Sequence, residues 1–213
     1  MSVHTETEAK FKLDQPQSWQ ARLREAGAVP LGRVLEINRL FDTPDARLRN
    51  ADCGLRLREW RTLGAGAAGA PGTPGRAAGT PGAVLTFKGP RAATGLKSRA
   101  EIETALADAA AAGQILNRLG VREVLVFEKI RETWRLGPCE VALDELPRLG
   151  WYLEIEGRDP EAVTTVRAQL GLADTPIVGE TYPALAAAAG DREADGRVCL
   201  RFTRAGGGSE ARS

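Results

Sequence analysis

The chain has 213 residues with 29 basic and 28 acidic side chains, a formal net charge of +1, so it is long enough for one domain with a real core and has no global field to recruit nucleic acid or a membrane surface. Its three cysteines, Cys53, Cys139 and Cys199, are scattered without a Cys-x-x-Cys pair, which argues against a disulfide framework or a zinc site and for a reducing cytosol. His4 is the only histidine, which argues against Ser-His-Asp and Cys-His triads, and no apolar run approaches the ~20 residues of a membrane span, so a soluble cytoplasmic protein is expected.

From His4 to Leu13 charged residues alternate with small or apolar ones: Glu6, Glu8, Lys10 and Lys12 share one parity, the period-two pattern of a strand. Pro16 opens a helix with Trp19, Leu23 and Ala26 on one stripe, ended by Gly27. A second strand is read over Leu31 to Phe41 and a third over Gly54 to Arg61. The stretch 63–83 is dominated by Gly, Ala and Pro and reads as a flexible hairpin insertion. Val84 to Lys88 is a strand, and the next carries Arg99, Glu101 and Glu103 on one face. A helix is expected from Leu106 to Leu119, then a long strand over Val121 to Leu136, a Gly137-Pro138 turn, and strands at Glu140 to Leu146 and Trp151 to Glu156. A helix over Pro160 to Leu170 and a short one beyond Tyr182 follow. The domain is placed at 1–189, with 190–213 as a disordered tail.

This pattern predicts an α+β fold, mainly antiparallel β: an eight-stranded closed barrel with flanking helices. Glu-x-Glu occurs at Glu6/Glu8, Glu101/Glu103 and Glu154/Glu156, interleaved with Arg56/Arg58 and Lys129/Arg131. Residues two apart on a strand share a face, so each doublet sets like charges side by side. Turned outward, these faces make a salt-bridged surface; turned inward, they make a charged lumen suited to a highly charged ligand.

Six stretches resemble, in order, those of the CYTH superfamily, the triphosphate tunnel enzymes: ETEAK (Glu6 to Lys10), NRLFDTPDARLRNADCGLRLRE (Asn38 to Glu59), LTFKGP (Leu85 to Pro90), SRAEIE (Ser98 to Glu103), EKIRETW (Glu128 to Trp134) and ALDELPRLGWYLEIEG (Ala142 to Gly157). The KGP and SRAEIE stretches look most like the class IV adenylyl cyclase branch. The resemblance implies a barrel whose lumen binds triphosphate, and therefore inward-facing charge.

On that reading a small-molecule triphosphate (tripolyphosphate, thiamine triphosphate or ATP) would be held by Lys10, Arg56, Arg58, Lys88, Arg99, Lys129 and Arg131, with no nucleic acid or membrane partner. Mg2+ or Mn2+ would be held by Glu6, Glu8, Asp144, Glu154 and Glu156, with Glu101 and Glu103 supporting the bases. Glu6, Glu8 and Lys10 are the catalytic candidates: with metal assistance, a water oriented by Glu6 or Glu8 attacks the terminal phosphorus. Hydrolysis of inorganic or organic triphosphate is the first reading. Cyclisation of ATP to cyclic AMP and pyrophosphate is the second, and a non-catalytic polyphosphate or nucleotide-binding module the third. Trp19, Trp134 and Trp151 are expected to pack helices on the barrel rather than stack on bases.

Overall fold

The computed structural model describes residues 3–63, 82–91 and 97–203, with the side chains of 3–6, 97 and 98 left aside. The insertion expected at 63–83 falls almost wholly outside these residues, as does Glu6 beyond its backbone. Eight long strands follow the expected order: β1 (Val3–Leu13), β2 (Val29–Asp42), β3 (Gly54–Thr62), β4 (Gly82–Arg91), β5 (Lys97–Leu106), β6 (Arg122–Leu136), β7 (Cys139–Leu146) and β8 (Gly150–Gly157). They hydrogen-bond in the order β2-β3-β4-β5-β1-β8-β7-β6, and β6 returns to β2. All eight of these pairings are antiparallel.

Full closure overstates the result. Strand β1 pairs with β5 over Val3 to Glu8 but with β8 over Thr7 to Leu13, so only Thr7 and Glu8 are bonded on both sides. The sheet is a curled barrel, staggered at this seam, and the loop before α5 occupies part of the vacated edge, where the Val178 N–H donates to the Lys10 carbonyl at 2.7 Å.

The helices are α1 (Gln17–Glu25), α2 (Arg47–Asn50), α3 (Ala109–Arg118), α4 (Pro160–Gln169) and α5 (Tyr182–Ala189). Helix α3 starts later than expected because Leu106 still belongs to β5 and Asp108 is the N-cap, its carboxylate accepting from Ala111 N–H at 2.9 Å. The short α2 was not foreseen. The buried Asp42 carboxylate accepts from the backbone N–H groups of Thr43, Leu48 and Arg49 and so folds that turn. Helices α1 and α3 stop where Gly27 and Gly120 take φ of +82° and +84°, a conformation that costs glycine least.

The apolar sides of the strands face outward, and helices cover most of them, while Phe87 of β4 and Ile102 of β5 stay exposed. Trp19 and Leu23 of α1 and Val163 and Val166 of α4 pack on Phe11, Trp134, Leu153 and Ile155, with Trp151 at the margin, so the three tryptophans do pack helices on the sheet. Helix α3 covers Phe41 and Leu57. Trp60, on the inward parity of Arg58, joins Val34 and Val84 in a small cluster of its own.

The tail needs correction. Residues 191–203, expected to be disordered, carry β9 (Asp191–Arg192) and β10 (Val198–Leu200), and β10 adds in parallel to β6 beside Leu125 to Phe127. Burial of Cys199 and Leu200 against that strand supplies the reason, since an apolar triplet can hold an otherwise charged segment.

Candidate active site

The side chains that alternate away from the helices turn inward, so the lumen is charged. Lys10, Glu36, Glu101, Lys129, Arg131, Asp144 and Glu154 are all buried, none more than 5% exposed. Burying so many ionisable groups is tolerable only when they pair. Lys10, Glu101, Lys129, Arg131 and Glu154 line a cavity of about 1810 Å3 together with Glu8, Arg56, Arg58, Lys88, Arg99, Glu103 and Glu156. Glu36 and Asp144 stand just behind the wall and touch the lining residues.

Strand register explains the meetings. Arg131 lies opposite Asp144 across β6 and β7, Lys10 opposite Glu154 and Glu8 opposite Glu156 across β1 and β8, and Lys88 opposite Glu101 across β4 and β5. Arg131 donates from Nε and Nη2 to the two Asp144 oxygens at 2.8 and 2.7 Å, bonds Glu154 as well, and approaches Glu156 at 3.7 Å. Lys129 bridges Asp144 at 3.2 Å and Glu36 at 3.5 Å. Lys10 bridges Glu154 at 3.2 Å and donates to the Glu180 carbonyl at 3.2 Å, while its ammonium lies 4.0 Å from the centre of the Tyr182 ring. Lys129 lies 4.7 Å from the same ring.

Electrostatics separates the groups. Burial works against ionisation of Asp144, yet Arg131 and Lys129 outweigh it and lower its pKa to about 2. Burial likewise opposes the Glu36 carboxylate, and Lys129 and Arg58 hold it well below the usual range. Lys10 loses from burial but gains more from Glu154 and Glu8, so its pKa ends raised. Burial also opposes Arg131, which Asp144 and Glu156 raise well above the ordinary value. Arg56 goes the other way: burial and the neighbouring Arg58 bring it down to about 10. Burial and Arg56 together lower Lys88. Arg58, next to Arg56 on β3, is also opposed by burial, but Glu36 and Glu103 raise it, and among these bases Arg56 is the one that reaches a carboxylate only at 4.0 Å.

The expected metal residues divide. Carboxylate oxygens of Glu8, Glu154 and Glu156 lie within 4.8 Å of one another, an all-oxygen set that fits a hard divalent cation such as Mg2+ or Mn2+. Asp144 is not in that trio; its two oxygens are engaged by Arg131 and Lys129, and Glu154, within the trio, shares its own two oxygens with Lys10 and Arg131. Glu101 bonds Lys88, and Glu103 accepts from Thr86 Oγ1 at 2.6 Å and stands 4.0 Å from Arg56. Arg99 is half-buried on the cavity wall.

Sequence reasoning missed Glu36 and Tyr182. Glu36 shares its parity with Asn38 and alternates with Leu35 and Ile37, a signal of the same kind as the doublets but with one charge. Tyr182 belongs to a loop-to-helix segment whose approach to Lys10 no local period announces.

Among known proteins, the chain is 28% identical over 151 residues, 71% of its length and 75% of the relative's, to a Methanocaldococcus jannaschii protein named "Putative adenylate cyclase". Its fold matches the PH1819 protein of Pyrococcus horikoshii with a TM-score of 0.67 at 26% identity, covering 84% of this chain and 97% of that one. It also matches HpAC1 of Hippeastrum, named a "putative adenylyl cyclase" that reveals a dominant triphosphatase activity, with a TM-score of 0.57 at 18% identity over 85% and 93% of the two chains. The model of the CYTH domain matches residues 4–180, and the chain belongs to that family.

Proposed function

We propose that this protein is a metal-dependent phosphoryl-transfer enzyme that takes a small triphosphate into the barrel and hydrolyses it. The observation that carries the reading is the division of the lumen, with three clustered carboxylates on β1 and β8 and, on β3 and β4, the crowded bases Arg56, Arg58 and Lys88, of which Arg56 and Arg58 each keep a buried Nε–H without a hydrogen-bond partner among the described residues. A triphosphate carrying divalent metal has the complementary division of charge. A phosphate-binding module alone would have no use for the acidic cluster.

Glu8, Glu154 and Glu156 would hold Mg2+ or Mn2+, with Glu6 as a further candidate on the same parity of β1. The ion would supply charge neutralisation at the phosphate oxygens. Arg56, Arg58, Lys88, Arg99, Lys129 and Arg131 bind the remaining oxygens and keep the chain in line. Arginine suits that role because it stays charged when desolvated and binds through a planar fork. Glu8 orients a water toward the terminal phosphorus. As the new P–O bond forms, the bond to the bridging oxygen breaks, the water's proton leaves on the phosphate released, and the bases stabilise the negative charge left on the diphosphate. Lys10, kept protonated by Glu154 and Glu8, contributes a fixed positive charge on the acidic side.

Cyclisation of ATP is the second reading, favoured by the name of the Methanocaldococcus relative. That name does not separate the activities, because HpAC1 carries both words in its own description. Incubating the full chain with ATP and with tripolyphosphate, in Mg2+ or Mn2+, and resolving the products decides the matter. Phosphate release from either substrate is the expected result. Pyrophosphate with cyclic AMP would establish the cyclase, and saturable binding without turnover a carrier or sensor. No described helix is long and apolar enough to cross a membrane, and we place the enzyme in the cytoplasm.

A further inference from the structure

Glu36 sits mid-strand on β2, 2% exposed, flanked by β3 and β6. Its Oε1 accepts from Arg58 Nη1 at 3.1 Å, its Oε2 lies 3.5 Å from the Lys129 ammonium, and the Asn38 amide stands 3.5 Å from Oε2. One carboxylate therefore ties a cation of β3 to a cation of β6 across the strand between them. Arg58 is the informative partner: Glu36 takes one Nη, while its buried Nε–H has no hydrogen-bond partner among the described residues. A guanidinium carries five N–H donors in a rigid fork, so anchoring one corner fixes where the others point. The ammonium of Lys129 is set in the same way between Glu36 and Asp144.

We propose that Glu36 is a positioning residue, a resident anion that anchors one corner of the Arg58 guanidinium and one side of the Lys129 ammonium so that their remaining donors converge on the ligand. The proposal rests on the reading of the lumen as a triphosphate site. It makes a counter-intuitive claim, since deleting a negative charge beside a phosphate cradle should tighten binding on charge alone. Positioning predicts the reverse.

The test is a double-mutant cycle on the full chain, read as the dissociation constant of tripolyphosphate from thermal-shift titration. Arg58→Ala in the wild-type background is expected to weaken binding about tenfold or more. In the Glu36→Gln background, where Arg58 is no longer aimed, the same change is expected to cost only about twofold. Equal losses in the two backgrounds, or tighter binding by Glu36→Gln, would overturn the proposal. Arg58→Lys supplies a test that leaves Glu36 intact. A lysine has no rigid fork to bridge Glu36 and ligand, so it should bind nearly as weakly as Arg58→Ala, and wild-type affinity would sink the idea. If wild-type protein binds no tripolyphosphate, the triphosphate reading itself fails and this one goes with it. If it binds but the cycle shows no coupling, only Glu36 loses its role.

Discussion

Two halves of the lumen contain the same residue types and treat them differently. Around Asp144, on β6 and β7, each charge is matched: Arg131 binds both carboxylate oxygens, Lys129 adds a third contact, and Glu154 takes the remaining edge of Arg131. Around Arg56, on β3 and β4, bases crowd together. Arg56 reaches Glu103 only at 4.0 Å, the Nε–H groups of Arg56 and Arg58 lack hydrogen-bond partners among the described residues, and Arg56 is lowered to about 10. A buried charge that is already neutralised contributes to the architecture, whereas one left short of a counter-ion marks where a ligand of opposite sign brings the largest gain. On the proposed reading the Asp144 node is chiefly the frame, from which Lys129 and Arg131 offer the ligand only their remaining donors, and the β3–β4 bases are the main ligand side.

Breaking the frame should have the largest effect. Arg131→Ala leaves Asp144 and Glu154 buried without their main partner, so we expect a loss of about 3–5 kcal/mol in unfolding free energy, measured by denaturant titration. A loss below about 1 kcal/mol would mean that the node is hydrated rather than closed. Arg56→Ala should do the opposite. We expect stability to stay within about 1 kcal/mol while tripolyphosphate affinity falls about tenfold to a hundredfold, since a charge-assisted hydrogen bond contributes about 1.5–3 kcal/mol. Equal damage to stability and binding would erase the distinction between the halves.

Glu8→Gln probes the acidic trio. Magnesium at ten times its dissociation constant should stabilise the wild type by about 1.4 kcal/mol, a rise of about 3–6 °C in Tm, and Glu8→Gln should lose most of that rise in differential scanning calorimetry. The smallest expected effect is on acid stability. The Asp144 pKa falls from 3.8 to about 2 on folding, so its stabilising contribution is complete above about pH 4 and disappears as pH drops through 2. Asp144→Asn should remove that part of the acid transition while leaving the slope above pH 5 unchanged.

Strand parity was legible because it is a local property. The doublets Arg56/Arg58, Lys129/Arg131 and Glu154/Glu156 alternate with apolar residues, and each pair shares a face of the strand predicted for it. The family motifs were legible for the same reason. Glu36 was not, because a single acid between Leu35 and Ile37 looks like an ordinary exposed position until β3 and β6 close on either side of it.

The amino-acid sequence alone determined that eight alternating segments would pair into a sheet, that each like-charged doublet would share one face of its strand, and that these doublets would include both acids and bases. Tertiary structure decided which face became the inside. Helices α1, α3 and α4 cover the apolar sides, so the polar sides have only one another and the lumen to face. It also decided that Asp144 is spent on two bases while Glu8, Glu154 and Glu156 gather, and that Val198–Leu200 returns to β6. The physical reason is reach. Backbone period and side-chain chemistry act over a few residues, but the compensation of a buried charge depends on whatever other strands bring within about 4 Å of it.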